Sequence, residues 1–210
     1  MDQEERANSL RKVRTTILEM LHDRGYDISE YPKNIDNVEI IERFRKDTLD
    51  LFVSHTTESY KIYVRFYKLF SSDVKTFGKK ELQQTIDEIR KKFVDETVRF
   101  IILLHQDPTP PAKRALETDL ERYRYVEVYP INRFLFNITR HRLVPKHRRM
   151  TEEEIQKLYQ TYDCTKNQLP KILITDPISQ YYGYTPGDVI EITRSGIPTT
   201  GRSIYYRMVK

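Results

Sequence analysis

Val98-Arg99-Phe100-Ile101-Ile102-Leu103-Leu104 is the stretch on which the fold turns. It is short, β-branched and apolar, with a single charge, which suits a central strand covered on both faces of a parallel sheet. Its uninterrupted apolar run, Phe100 to Leu104, is five residues and the longest in the chain. A membrane-spanning helix needs about 20.

Upstream of this strand, Gly78 to Phe93 has helical period through Leu82, Ile86, Ile89 and Phe93. Before that, Tyr60 to Tyr67 alternates Ile62, Val64 and Phe66 against Lys61, Tyr63 and Arg65, the period-two pattern of a half-buried strand. Leu49 to Val53 precedes it, so the two form a hairpin. An amphipathic helix opens the chain from Gln3 to Arg24, with Leu10, Val13, Ile17, Leu18, Met20 and Leu21 at helical spacing and Gly25 as its left-handed carboxyl cap. Val38 to Lys46 is a second helical stretch.

Downstream, His105 to Pro111 carries three prolines and breaks structure. A helix follows from Ala112 to Arg122, then a strand from Tyr125 to Tyr129, while Ile131 to Thr139 fits no single period. Strand, helix, strand, helix, strand predicts an α/β layer whose crossover helices cover the sheet.

The last 70 residues read differently. Thr151 and Glu154 form a capping box ahead of Ile155, Leu158, Tyr159 and Tyr162, a helix whose acidic first turn complements its dipole. Asp176-Pro177 reads as an N-cap with proline at the first helical position, and Gly183 ends that helix after about two turns. Thr185 to Asp188 is a turn, and Val189 to Thr193 and Ile204 to Val209 are strands joined by the loop Ser195 to Gly201. The expected organisation is an amino-terminal α/β domain over residues 1–141 and a small mixed α/β domain over 142–210, an α+β chain overall.

The 210 residues are 38% hydrophobic and 32% charged, with a net charge of +5. Residues 141–210 hold 11 Lys and Arg against 7 Asp and Glu, so most of the excess is carboxyl-terminal. Val128 to Thr151 contains no acid, yet carries Arg133, Arg140, Arg142, Lys146, Arg148 and Arg149 with His141 and His147. Two readings of this stretch stay open, a solvated linker and a contact with nucleic acid or an acidic protein. The polar amino terminus has no signal-peptide core, and the one cysteine, Cys164, excludes an intramolecular disulfide. An intracellular compartment is expected, with no membrane contact.

Catalytic signatures are missing. Six glycines form no phosphate-binding run, and no G-x-S-x-G or cysteine-histidine context marks a nucleophile. Cys164 reads as a small buried apolar residue. The five histidines lack metal-ligand spacing, so neither cofactor nor metal is expected. Asp73-Val74-Lys75, with Asp50 upstream, fits the acid-x-Lys triplet of metal-dependent nucleases, though such a triplet arises easily by chance in so charged a chain. A surface turn is the preferred reading of it. Of the tyrosine pairs Tyr181-Tyr182 and Tyr205-Tyr206, one member each should point inward and serve an interface rather than stack on bases.

Asn137-Ile138-Thr139, His141, Leu143 to His147, Gln168 to Ile172, Asp176-Pro177-Ile178, Tyr181-Tyr182-Gly183, Gly187 to Ile190, Gly201-Arg202 and Tyr206-Arg207 stand in a telling order. That order resembles the shared fifth subunit of eukaryotic nuclear RNA polymerases, whose carboxyl module is similar to a small subunit of the archaeal RNA polymerase. The amino-terminal half is similar through the opening helix ending Asp23-Arg24-Gly25-Tyr26, and through Phe100 to Leu103 followed by Thr109-Pro110-Pro111-Ala112-Lys113.

This resemblance implies a non-catalytic subunit common to polymerases I, II and III, located in the nucleus. It implies a jaw domain along downstream duplex DNA, contacted without sequence preference, and an assembly domain docked on the largest subunit. The polymerase contacts carry over to Leu143, Val144, Pro145, Lys146, His147, Asp176, Pro177, Gly183, Gly201, Arg202, Tyr206 and Arg207. The DNA-proximal loop carries over to Thr109, Pro110 and Lys113, and as a loop it offers no helix for groove readout. Transcription regulators would meet the jaw's outer surface.

The chain departs from the family pattern in three places. Arg142 replaces an acid, Ser195 to Thr200 replaces a segment containing glutamate, and the jaw is shorter between Tyr26 and Leu49. Two alternatives stand beside the subunit, a free-standing basic nucleic-acid-binding regulator and a metal-dependent nuclease.

Overall fold

The computed structural model describes residues 3–32, 34–46, 48–69, 76–93, 97–123, 125–195 and 201–210. The chain divides into two units, 1–136 and 137–210. None of the described helices is long and apolar enough to cross a membrane.

Unit 1 begins with α1 (Gln3–Asp23), which buries Leu10, Val13, Ile17, Leu18, Met20 and Leu21 along one stripe. Gly25 lies just beyond it at φ +88, and a Cβ there would sit 3.0 Å from His55 Nε2. Glycine thus meets both the left-handed backbone and the close approach. Helix α2 (Asn37–Arg45) follows an Asp36 N-cap whose carboxylate accepts the Glu39 N–H at 2.7 Å.

The expected hairpin is present as β1 (Leu51–Ser54) antiparallel to β2 (Lys61–Phe66), with Leu51 opposite Val64. Helix α3 (Lys79–Lys92) carries the chain to β3 (Val98–Leu104), which lies parallel to β2. From Ile101 to Leu104 every side chain of β3 is buried, as its continuous apolar run requires.

Helix α4 (Pro110–Thr118) and the single turn α5 (Leu120–Tyr123) lead to β4 (Val126–Pro130), parallel to β3. The sheet order is β1-β2-β3-β4. Here two expectations are corrected. Pro110 and Pro111 are not part of the breaker: they occupy the first turn of α4, where proline's fixed φ is helical and its missing N–H would have had no partner. The helix also breaks at Asp119 instead of running unbroken to Arg122, because Asp119 leaves helical geometry with ψ +67.

Two layers flank this sheet. Ile102 and Leu104 pack against Leu82 and Ile86 of α3 and Ala112 and Ala115 of α4. On the opposite face Arg24, just past α1, reaches Glu127 of β4, the register partner of Ile101. Beyond β4 the unreadable stretch forms two 3-10 turns, Ile131–Phe134 and, opening unit 2, Ile138–Arg140.

Unit 2 consists of β5 (Lys146–Arg149), α6 (Glu152–Tyr162), a 3-10 turn at Lys166–Gln168, β6 (Lys171–Ile172), α7 (Pro177–Tyr182), β7 (Val189–Ser195) and β8 (Arg202–Val209). The sheet order is β5-β7-β8-β6. The Thr151 capping box forms, with Thr151 Oγ1 accepting the Glu154 N–H at 3.3 Å and Glu154 accepting the Thr151 N–H at 2.8 Å. Asp176 caps α7 by accepting the Ile178 N–H at 2.8 Å, and Gly183 ends it at φ +63. Cys164 is half-buried beside Leu158 and Val189, not fully enclosed as expected.

Candidate assembly and nucleic-acid surfaces

Strand register assigns the side chains of unit 2 to faces, because cross-strand partners share a face. His147, Ile192 and Tyr205 form one row across β5, β7 and β8, and Arg149, Ile190 and Arg207 form the next. On the opposite face run Arg148, Glu191 and Tyr206, then Lys146, Thr193 and Ile204. Tyr206 and Arg207 are therefore neighbours in sequence on opposite sides of the sheet.

Tyr206 is half-buried. It packs with Met208 against the cluster of Met150, Leu158, Leu169 and Val189 under α6, and meets Tyr162 edge-on with centroids 6.0 Å apart. Arg207 donates from Nη1 to the Lys171 carbonyl at 3.1 Å, which ties β8 to β6 and leaves part of its guanidinium uncommitted.

His147 lies on the Arg207 face. Burial holds its imidazole below the ordinary value, and the Arg194 and Arg207 cations add to that lowering against the Pro145 carbonyl bond and the Asp176 carboxylate. His147 Nδ1 is 2.8 Å from the Pro145 carbonyl oxygen, so Nδ1 carries the proton and donates. His147, Asp176, Arg194 and Arg207, far apart in the chain, thus share one electrostatic neighbourhood.

The remaining expected residues divide by role. Leu143 is 77% exposed at a turn where the Val144 N–H bonds the His141 carbonyl at 2.9 Å, while Val144 and Pro145 are half-buried and Lys146 is exposed. Pro177 is exposed at the first position of α7, and Gly183 accepts from Arg149 Nη2 at 3.3 Å through its carbonyl. Gly201 has φ +68 and opens β8, followed by exposed Arg202. The replaced segment Gly196 to Thr200 lies outside the described residues.

Sequence reading missed the exposed apolar side chains Leu173 (60%), Ile174 (41%) and Ile204 (46%). The signal was present in β8: Arg202 to Val209 places apolar or aromatic residues at both parities, which one buried face cannot absorb. Tyr205, 48% exposed, stays on the surface beneath the Arg194 guanidinium, 4.9 Å from the ring centroid. Its neighbour Tyr206 turns inward, as expected for one of the pair.

The cationic stretch is less available than its composition suggests. Arg148 bonds Glu154 at 2.8 Å and Glu191 at 2.9 Å, and Arg149 bonds Asp188 at 2.9 Å. Lys146 to Arg149 is a sheet edge strand, not a linker, and two of its cations are spent on unit 2 itself.

In unit 1, Thr109 is the N-cap residue of α4 without a side-chain bond, and its N–H donates to the Phe77 carbonyl at 3.0 Å. The expectation that this segment offers no helix is corrected, since Pro110 begins one. Prolines at its first two positions leave that N-terminus short of N–H donors, so its dipole can attract an anion but its backbone can bond one only weakly. Lys113 is paired with Asp107 at 3.2 Å. Asp73-Val74-Lys75 lies outside the described residues, and among those described no group of three His, Cys, Asp or Glu could hold a metal.

Comparison with known proteins finds two family models on this chain. "RNA polymerase Rpb5, N-terminal domain" matches residues 4–89, and "RNA polymerase Rpb5, C-terminal domain" matches residues 136–209. A Dictyostelium discoideum protein named DNA-directed RNA polymerases I, II, and III subunit rpabc1 is 34% identical, over 96% of this chain and 97% of its own. An Arabidopsis thaliana DNA-directed RNA polymerase subunit 5-like protein 1 is 34% identical over 92% of each chain. The Caenorhabditis elegans subunit RPABC1 of polymerases I, II, and III is 31% identical over 99% of each.

Proposed function

The chain belongs to the Rpb5 family of RNA polymerase subunits, and on that premise we propose that it serves nuclear polymerases I, II and III in common. It is a non-catalytic subunit of a DNA-directed RNA polymerase. Unit 1 is its jaw, lying beside downstream duplex DNA, and unit 2 docks on the largest subunit.

The observation that carries this reading is the coverage of the likeness: both family domains occur in order on one chain, and relatives align over nearly their whole length. The docking half is supported by the surface of unit 2. Tyr205 on β8 and Leu143 before β5 are exposed, Arg207 and Arg194 lie near Tyr205 on its face, and Ile204 is exposed on the opposite face. Aromatic and arginine side chains set among apolar ones are the composition of a protein interface core. The DNA half rests on Thr109, Pro110 and Lys113, where the positive end of α4 favours phosphate at any sequence.

The test is affinity purification of the tagged full chain from its native cell at high salt, with mass spectrometry of stoichiometric partners. The two largest polymerase subunits are expected. Recovery of the chain alone would overturn the proposal and return the free-standing regulator.

A further inference from the structure

Beside the carboxyl end of β2, unit 1 holds a cavity of about 330 Å³ that the subunit reading does not use. Its walls come from β2 and the residues after it, Tyr63, Arg65, Tyr67 and Lys68, and from the end of α3, Glu88 and Lys92, with Asp50 at the base. Asp50 faces inward chemically: its carboxylate accepts the Phe66 N–H at 2.8 Å and the Tyr63 hydroxyl. Glu88 is matched by Arg65 at 3.2 Å. Among the described residues Lys68 and Lys92 have no salt-bridge partner, and the lining carries three cations, Arg65, Lys68 and Lys92, against two carboxylates, Asp50 and Glu88, an excess of one positive charge.

These cations are held in place. Lys92 Nζ stands 5.1 Å from the Tyr63 ring centroid, and Lys68 Nζ and the Arg65 guanidinium stand 5.6 and 5.7 Å from that of Tyr67. Cation–π contact of this kind limits the freedom of exposed lysines before any ligand arrives. Lys68 adopts φ +39, one of two left-handed non-glycine residues among those described. The other, Asp163, ends α6, a routine helix stop, whereas Lys68 ends no helix. Backbone strain of this type persists where the surroundings impose it.

We propose that this cavity binds a compact dianionic phosphate group, carried as a monoester on a phosphorylated side chain or free as orthophosphate. The cations fit a doubly charged tetrahedral group, which fills only part of the cavity and leaves room for the chain that carries it. A nucleotide fits less well, because cations stand against the two tyrosine rings on which a base would stack. An extended nucleic-acid backbone fits less well again, since Glu88 sits at the rim with 64% of its side chain exposed.

The experiment titrates the full chain with O-phospho-L-serine and, separately, with orthophosphate, while amide resonances are followed by NMR. Saturable shifts centred on Tyr67, Lys68, Ile89 and Lys92 are expected. Lys68→Gln with Lys92→Gln should weaken the affinity about tenfold or more, since each removes a charge-assisted bond. Both lysines are exposed, so the fold should survive, which far-UV circular dichroism checks. Lys79→Gln with Lys80→Gln, on the exposed start of α3, should leave the affinity unchanged. Saturation by phosphoserine assigns the group to a side chain, and saturation by orthophosphate alone assigns it to the free ion. Linear shifts spread over all surface lysines, or an affinity unchanged in the double variant, would overturn the proposal.

Discussion

The Tyr31 hydroxyl accepts the Phe52 N–H and donates to the Phe52 carbonyl, both at 3.0 Å. Phe52 is in β1, which among the described strands pairs only with β2, so its outward backbone groups would otherwise form an open sheet edge. One side chain closes both. An open edge is a template for pairing with another chain, and this bond blocks the place where a foreign strand would start.

Tyr31→Phe keeps the ring and leaves both Phe52 groups without their partner. A loss of about 1–3 kcal/mol is expected in urea unfolding, together with self-association at high concentration by light scattering. Wild-type stability would mean that water replaces the hydroxyl at no cost.

Glu127→Gln tests the bidentate pair in which Arg24 Nη1 and Nη2 donate to Glu127 at 2.9 and 2.8 Å. Burial alone would pull the Arg24 guanidinium down from its ordinary value, but the Glu127 charge and hydrogen bonds outweigh it and raise it. Glu127→Gln takes the carboxylate charge away from a cation whose side chain is 6% exposed. Unit 1 should lose about 3 kcal/mol by chemical denaturation.

Tyr206→Ala and Arg207→Ala should separate stability from assembly. Tyr206 packs against Leu158 and Val189, so its truncation should lower unit 2 stability by about 2 kcal/mol or more. The Arg207 guanidinium is tied to the fold through the Lys171 carbonyl, so Arg207→Ala should cost only about 1 kcal/mol in folding while reducing incorporation into polymerase at high salt. Equal incorporation of Arg207→Ala and wild type would remove that residue from the interface.

His147 sets a pH dependence. Its folded value lies below the unfolded one of about 6.5, so between the two the unfolded chain binds more protons and stability rises with pH. The contribution is complete above about 6.5 and is lost as pH falls through the lower folded value. Urea midpoints of unit 2 should drop on going from neutral to mildly acidic pH, and His147→Asn should flatten that drop.

Most elements were legible from local chemistry. The Val98 to Leu104 run, the Thr151 and Asp176 caps and the Gly183 stop are set by residues within a few positions of one another, so sequence alone specifies them. The first turn of α4 was misread because proline both breaks helices and begins them, and which it does depends on the residues that follow. The two-residue β6 was missed because Lys171 and Ile172 have no period of their own and become a strand only against Met208 and Val209.

The site was legible as a set of residues and not as a surface. Sequence order named Tyr206 and Arg207 together, and only strand pairing shows one turned under α6 and the other toward His147. Arg148 and Arg149 counted as free cations until folding set Glu154, Glu191 and Asp188 beside them.

Sequence by itself determined the two-part organisation, the family and the absence of local catalytic signatures, because each rests on residue identity and short-range order. Tertiary structure decided which charges stay available, which face each strand residue takes and where a cavity opens beside Lys68 and Lys92. Those depend on pairings between residues far apart in the chain, whose register follows from packing the whole sheet rather than from any one segment.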